Sequence, residues 1–188
     1  MKKCTTLFFS LAALASIGSA SIAHAQVSNT VKFTVFGGAA LPVGDSQDEL
    51  NTGYTVGGAL DLRAPLSPLG FRAELTYSGF DAKGLGGTGV DANLKDLGVN
   101  ANLVYWVTSP TPVKPYLTGG PSWSHQSATA SGGGSTISGS DNAWGFNLGG
   151  GIQFPLGELG TRLDVRYRRL SKNGDSFSVI PITFGITF

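Results

Sequence analysis

Apolar residues recur at every second position through most of the chain. In the last segment Ile180, Ile182, Phe184, Ile186 and Phe188 share one side of an extended backbone, and small or polar residues take most of the other. Successive strand side chains point to opposite faces, so this is a strand with one apolar face. The same alternation marks segments at roughly 30–41, 53–64, 70–80, 94–107, 113–125, 142–154, 160–170 and 177–188. Each has about the 9–11 residues that a tilted strand needs to cross a bilayer.

The connections alternate in kind. Three are short and proline-containing: Pro65-Leu66-Ser67-Pro68, Ser109-Pro110-Thr111-Pro112 and Pro155-Leu156-Gly157-Glu158. Between them come longer polar stretches at 43–52, 81–93, 126–141 and 171–176. Proline fixes φ and suits tight turns. Short turns on one side and long loops on the other predict a transmembrane barrel with periplasmic turns and outer loops, a regularity that a β-sandwich does not require. With the first strand running outward, Tyr54, Tyr77, Trp123 and Trp144 fall at the outer end, and Phe33, Phe71, Tyr105, Phe154 and Phe188 at the periplasmic end. Two such rings are expected at the two lipid–water boundaries.

Alternation alone does not say which face is inside; a soluble lipocalin-like barrel would turn the apolar face inward. The polar face decides. It carries Gly, Ala and Asn together with charges of both signs: Arg162, Asp164, Arg166 and Arg168 in one strand, Arg72 and Glu74 in another, Asp61 and Arg63 in a third. A crowded eight-strand interior needs small residues and paired charges, and the planar fork of Arg can serve two carboxylates. We therefore expect a lumenal ion network of Lys32, Asp61, Arg63, Arg72, Glu74, Lys114, Arg162, Asp164, Arg166 and Arg168. Most of these lie near the periplasmic end. They predict an ion-pair plug beneath a shallow polar cup open to the outside, with an evenly spread network as the alternative.

Composition narrows the picture. The 188 residues carry only 13% charged side chains and a formal net charge of +1, which gives no support for nucleic-acid binding. Lys2 and Lys3, an apolar stretch from Leu7 to Ile17, and Ala23-His24-Ala25 before Gln26 read as an export signal, residues 1–25, preceding a barrel domain at 26–188. Cleavage there would remove Cys4, the sole cysteine, and leave His125 as the sole histidine. Beyond this signal no apolar run is long enough for a spanning helix, so a spanning chain must be a closed barrel with every backbone amide paired.

Several stretches resemble the small outer-membrane barrel family typified by OmpA and OmpX. Lys114-Pro115-Tyr116-Leu117-Thr118-Gly119-Gly120 is similar to its kPYxxxG strand. Asn147 to Phe154, followed by Arg162 to Tyr167, is similar to its GxGGGxxxxL…LRxExRY region. The terminal aromatic also resembles the family's last strand, although Ile186 stands where another aromatic is common. The resemblance implies an eight-stranded antiparallel up-and-down barrel in the outer membrane. It implies contact with outer-membrane lipid and with the barrel-assembly machinery during insertion, and it specifies no activity.

Candidate chemistry is sparse. Ser122, Ser124 and His125 are the raw material of a Ser/His pair of the kind that modifies lipid A in some outer-membrane barrels. That needs an orienting carboxylate, for which Asp141 is the candidate. Asp45, Asp48 and Glu49 offer oxygen ligands without the spacing of a calcium loop. The Gly/Ser/Thr-rich stretch 127–136 reads as a mobile outer loop. The expectation is a monomeric, non-enzymatic barrel without cofactor or metal, with a structural or surface-interaction role and an extracellular ligand, if any, bound through loops 1–3. A narrow channel or small-ligand cup, a lipid A-modifying enzyme and a soluble exported barrel are the alternatives.

Overall fold

The computed structural model describes residues 31–63, 67–83, 90–133, 135–157, 159–172 and 175–188. The export signal expected at 1–25 lies outside them. The strands are β1 (Val31–Pro42), β2 (Gly53–Arg63), β3 (Leu69–Asp81), β4 (Val90–Trp106), β5 (Lys114–Gly132), β6 (Ser135–Leu156), β7 (Leu159–Lys172) and β8 (Asp175–Thr187). One helical turn, α1 (Ser46–Glu49), interrupts the first loop. Every strand pairs antiparallel with its neighbours in sequence, and β8 closes onto β1 from Thr34↔Thr187 to Pro42↔Val179. The result is an eight-stranded, up-and-down closed barrel.

The apolar face points outward. Phe71 is 66% exposed while the adjacent Arg72 is 3% exposed. The final segment behaves likewise: Ile182, Phe184, Ile186 and Phe188 are exposed, and Thr183 and Thr187 are buried. This inverts a soluble protein and suits a barrel whose outer wall meets acyl chains. At the outer end of the wall Tyr54 and Tyr77 pack with ring centroids 6.4 Å apart, and Trp123 and Trp144 are register partners. At the opposite end the Phe188 N–H donates to the Phe33 carbonyl at 2.8 Å. Both aromatic groups thus sit where the alternating pattern placed them.

The hydrophobic rhythm failed above the bilayer. Residues 126–141 were expected to form a long polar loop, mobile at 127–136. Instead, β5 and β6 continue as a hairpin, with pairs running from Gln126↔Asp141 to Gly132↔Ser135. At 19 and 22 residues they far exceed what a bilayer requires. Out in water neither face needs to be apolar, so Ser, Thr and Gly form strands that carry no hydrophobic alternation. Among the described residues β7 joins β6 only from Trp144↔Ser171 inward, and the strand pairing of Ser135–Ala143 is with β5. Gly133 turns the hairpin at φ +59°, a left-handed conformation that costs a side chain about 1–2 kcal/mol. Gly133→Val should accordingly lower amide-exchange protection across 126–141 while leaving the barrel strands protected.

Candidate functional site

Three inward-facing positions on adjacent strands begin the lumenal cluster. Asp61 on β2 and Arg72 on β3 are register partners, and Arg72 Nε meets Asp61 Oδ1 at 2.5 Å. Two residues further along β3, period two brings Glu74 inward as well. From β7 come Arg162, Asp164 and Arg166. Glu74 accepts from Arg162 Nη2 at 3.3 Å, from both terminal nitrogens of Arg166, and from Asn102 Nδ2 at 3.1 Å. Asp164 lies 2.9 Å from Arg162 Nε, 3.6 Å from Arg72 Nη1 and 3.7 Å from Arg166 Nε. These three arginine contacts are charge–charge only, because none of the guanidinium N–H groups is aligned with a carboxylate oxygen of Asp164.

Arg168 stands apart from this cluster and pairs with Asp96, Nη1 to Oδ2 at 2.6 Å, while Ser124 donates to the other oxygen of Asp96. Asp96 was absent from the expected network. Its register partner Ser78 lies toward the outer end of β3, a level at which mostly Gly, Ala, Ser, Thr and Asn were expected. Counting it, four buried arginines face four buried carboxylates, Asp61, Glu74, Asp96 and Asp164. The interior is thus electrically balanced, as a low-dielectric site demands.

The remaining three expected members lie elsewhere. Arg63 is half-buried, stacks over Trp106 at 4.8 Å and donates to the Ser67 carbonyl at 3.1 Å. Lys32 and Lys114 line a separate recess of about 320 Å³ with Gln153 and Gly160 at the periplasmic mouth. Among the described residues neither lysine makes an ion pair. Both face inward, but at the ends of their strands, where water competes with any carboxylate.

Asparagines extend the polar contacts around the wall. Asn147 Nδ2 donates to Asn102 Oδ1 at 2.7 Å, and the Ser122 hydroxyl donates to Asn100 Oδ1 at 2.7 Å. Glycine makes room where arginine crosses the lumen: a Cβ on Gly98 would fall 2.7 Å from Arg168 Nη2 and 2.6 Å from Thr76 Oγ1.

Apolar groups bracket the charges, which inner-face polarity did not foretell. Toward the periplasm Val104, Trp106 and Tyr116 form one buried cluster, and Arg72 lies 4.8 Å from the Tyr116 ring. Toward the outside Ala40, Phe80 and Val179 form another, with Leu50, Leu94 and Phe177 packed against it. Above this second layer opens a cup of about 890 Å³. It was expected to be shallow and polar. Its floor is apolar, because strand residues at that level turn Leu94, Leu170 and Phe177 inward.

Loop 1 forms part of the cup's wall. Buried Ser46 of α1 accepts a hydrogen bond from the Ser178 N–H at 3.0 Å, and the Lys83 N–H donates to the Glu49 carbonyl at 2.7 Å.

The serine–histidine candidates are separated by the pleat. Ser122 and Ser124 face the lumen and are bonded to Asn100 and Asp96. His125 lies on the other face, its Nδ1 2.9 Å from Asn142 Oδ1. Asp141 pairs in register with Gln126 rather than with His125. Asp45, Asp48 and Glu49 are exposed on and beside α1.

A family model described as the outer membrane protein beta-barrel domain matches residues 10–188. No curated protein matches the sequence. Among solved structures, Neisserial surface protein A is similar over 84% of this chain and 96% of its own, with 17% identity and a TM-score of 0.57. Ail, the attachment invasion locus protein of Yersinia pestis, is similar over 84% and 97%, with 15% identity and a TM-score of 0.54. The outer membrane enzyme PagL is similar over 82% and 97%, with 17% identity and a TM-score of 0.50. One architecture thus serves proteins with different names and tasks.

Proposed function

Because the chain belongs to the outer membrane protein beta-barrel domain family and resides in the bacterial outer membrane, we propose that it is a closed, non-catalytic barrel that works through its outer surface. The observation that carries this reading is the filled lumen. The balanced ion cluster lies between two apolar layers, and a cavity of about 30 Å³ remains between Arg166, Arg168 and Asn147. That is room for a water or two and no hydrated ion stream.

The material beyond the bilayer supports an interaction role. The β5–β6 hairpin projects outward, and among the described residues Ser135–Ser140 pairs with β5 and with no second strand, which leaves that edge to a partner strand. Ser135, Thr136, Ser138 and Ser140 keep that edge soluble until it is used. Similarity to an attachment protein agrees with this reading but does not carry it.

Planar-bilayer recording tests the closed lumen. The refolded protein should show no stable openings, and reproducible unitary conductance would replace this reading with a narrow channel. An enzyme acting on lipid A is the weaker reading, since Ser122 and Ser124 face away from His125. His125→Ala should leave lipid A unchanged by mass spectrometry.

A further inference from the structure

We propose that the outer cup is a binding site for a small amphipathic cation, an ammonium group carried on an apolar body. The inference rests on the closed-barrel reading only because the cup needs a floor.

Size, lining and charge point the same way. The cup's volume of about 890 Å³ lies within the ~300–1,000 Å³ common for small-molecule sites. Its floor offers Leu94, Leu170 and Phe177, and Phe177 is braced edge-on against buried Phe80 at 5.5 Å. An apolar body would cover the partly buried Leu94 and Phe177 and displace the water that now meets them.

The charged side chains among the described lining residues are all carboxylates: Asp45 and Glu49 from loop 1 and Asp141 from β6. Lys83, the nearby base on the rim, is tied down with its Nζ donating to the Gln47 carbonyl at 2.5 Å. An anionic ligand would meet repulsion from Asp45 and Glu49 on the loop 1 side, and a neutral one would leave those two carboxylates unused. A cation satisfies both the wall and the floor, and an aromatic floor is favourable to ammonium groups.

Two further polar atoms of the wall, Asn93 Oδ1 and Gln126 Nε2, are buried without a hydrogen-bond partner among the described residues. They provide one acceptor and one donor beside the site. The wall is also built before any ligand arrives, since α1 is docked through Ser46 and the Glu49 carbonyl. Little ordering would be needed on binding.

The test uses the full chain in phosphatidylcholine nanodiscs titrated with benzyltrimethylammonium, with phenylacetate and benzyl alcohol as the anionic and neutral counterparts. Amide shifts are followed by NMR. Saturable shifts confined to residues 45–50, 92–94, 126–130 and 176–177 are expected, with the cation binding about tenfold tighter than either counterpart. Glu49→Gln and Asp45→Asn, both on exposed positions that leave the barrel intact, should each weaken the cation about threefold and leave benzyl alcohol unaffected. Phe177→Ser should weaken cation and alcohol alike. Non-saturating shifts, equal affinity for phenylacetate, or indifference to both carboxylate replacements would overturn the proposal. Conductance reports on the floor and titration on the cup, so either result can fail without the other.

Discussion

Glu74→Ala is expected to destabilise the barrel by about 3–5 kcal/mol, the cost of leaving buried charges without their partner. Glu74 receives Arg162, Arg166 and Asn102 at once. Its removal leaves four buried arginines facing three carboxylates. Water cannot easily reach them, because Val104, Trp106 and Tyr116 close one side and Ala40, Phe80 and Val179 the other. Urea unfolding in lipid vesicles measures the loss. Arg166→Met should also destabilise when made alone. Combined with Glu74→Ala, it should cost less than the two single losses added together, because the pair then disappears as a unit. Strict additivity would show that Glu74 and Arg166 are not coupled in the folded barrel.

An arginine on the lipid face should be nearly as damaging and depend on depth. Leu148 is 63% exposed on the outer wall of β6, roughly midway between Trp144 and Phe154. At that level Leu148→Arg should cost about 2–4 kcal/mol, against about 0–1 kcal/mol near an interface. Leu156→Arg, beyond Phe154 and 64% exposed, is the matched control. The two positions are equally exposed to a water-sized probe, so only a bilayer separates them. Equal costs at both sites, read from refolding titrations in vesicles, would contradict the placement of the membrane between the two aromatic groups.

The wall of this protein was legible in its sequence because lipid imposes a strict rule. Nearly every outward position between the aromatic ends is apolar or glycine, so Leu60, Leu75, Leu148 and Phe184 write the strand period plainly. Interior positions obey a looser rule: they need only fit and be satisfied. Arg72, Glu74 and Arg162 were recognisable because charges on a barrel's inner face demand partners. Asp96 was missed because it is the one charged residue on the inward face of β4, and its partner Arg168 comes from β7, across the lumen. Phe36, Phe80, Trp106 and Tyr116 point inward among polar neighbours, which no alternation rule announces. Above the bilayer the period vanished, and Ser127 to Thr136 looked like a loop while Ser127–Gly132 and Ser135–Thr136 belong to strands.

The seam between β1 and β8 joins residues at opposite ends of the described chain. Thr34 and Thr187 share a hydroxyl–hydroxyl contact of 2.8 Å across 153 positions. Hairpins can form early from local pairs, but this junction must wait until every intervening strand has arrived. Until then two raw strand margins face the lipid, each with a row of unpaired amides that hydrocarbon cannot satisfy. Insertion should therefore behave as an all-or-none event, with the last zipper limiting its rate.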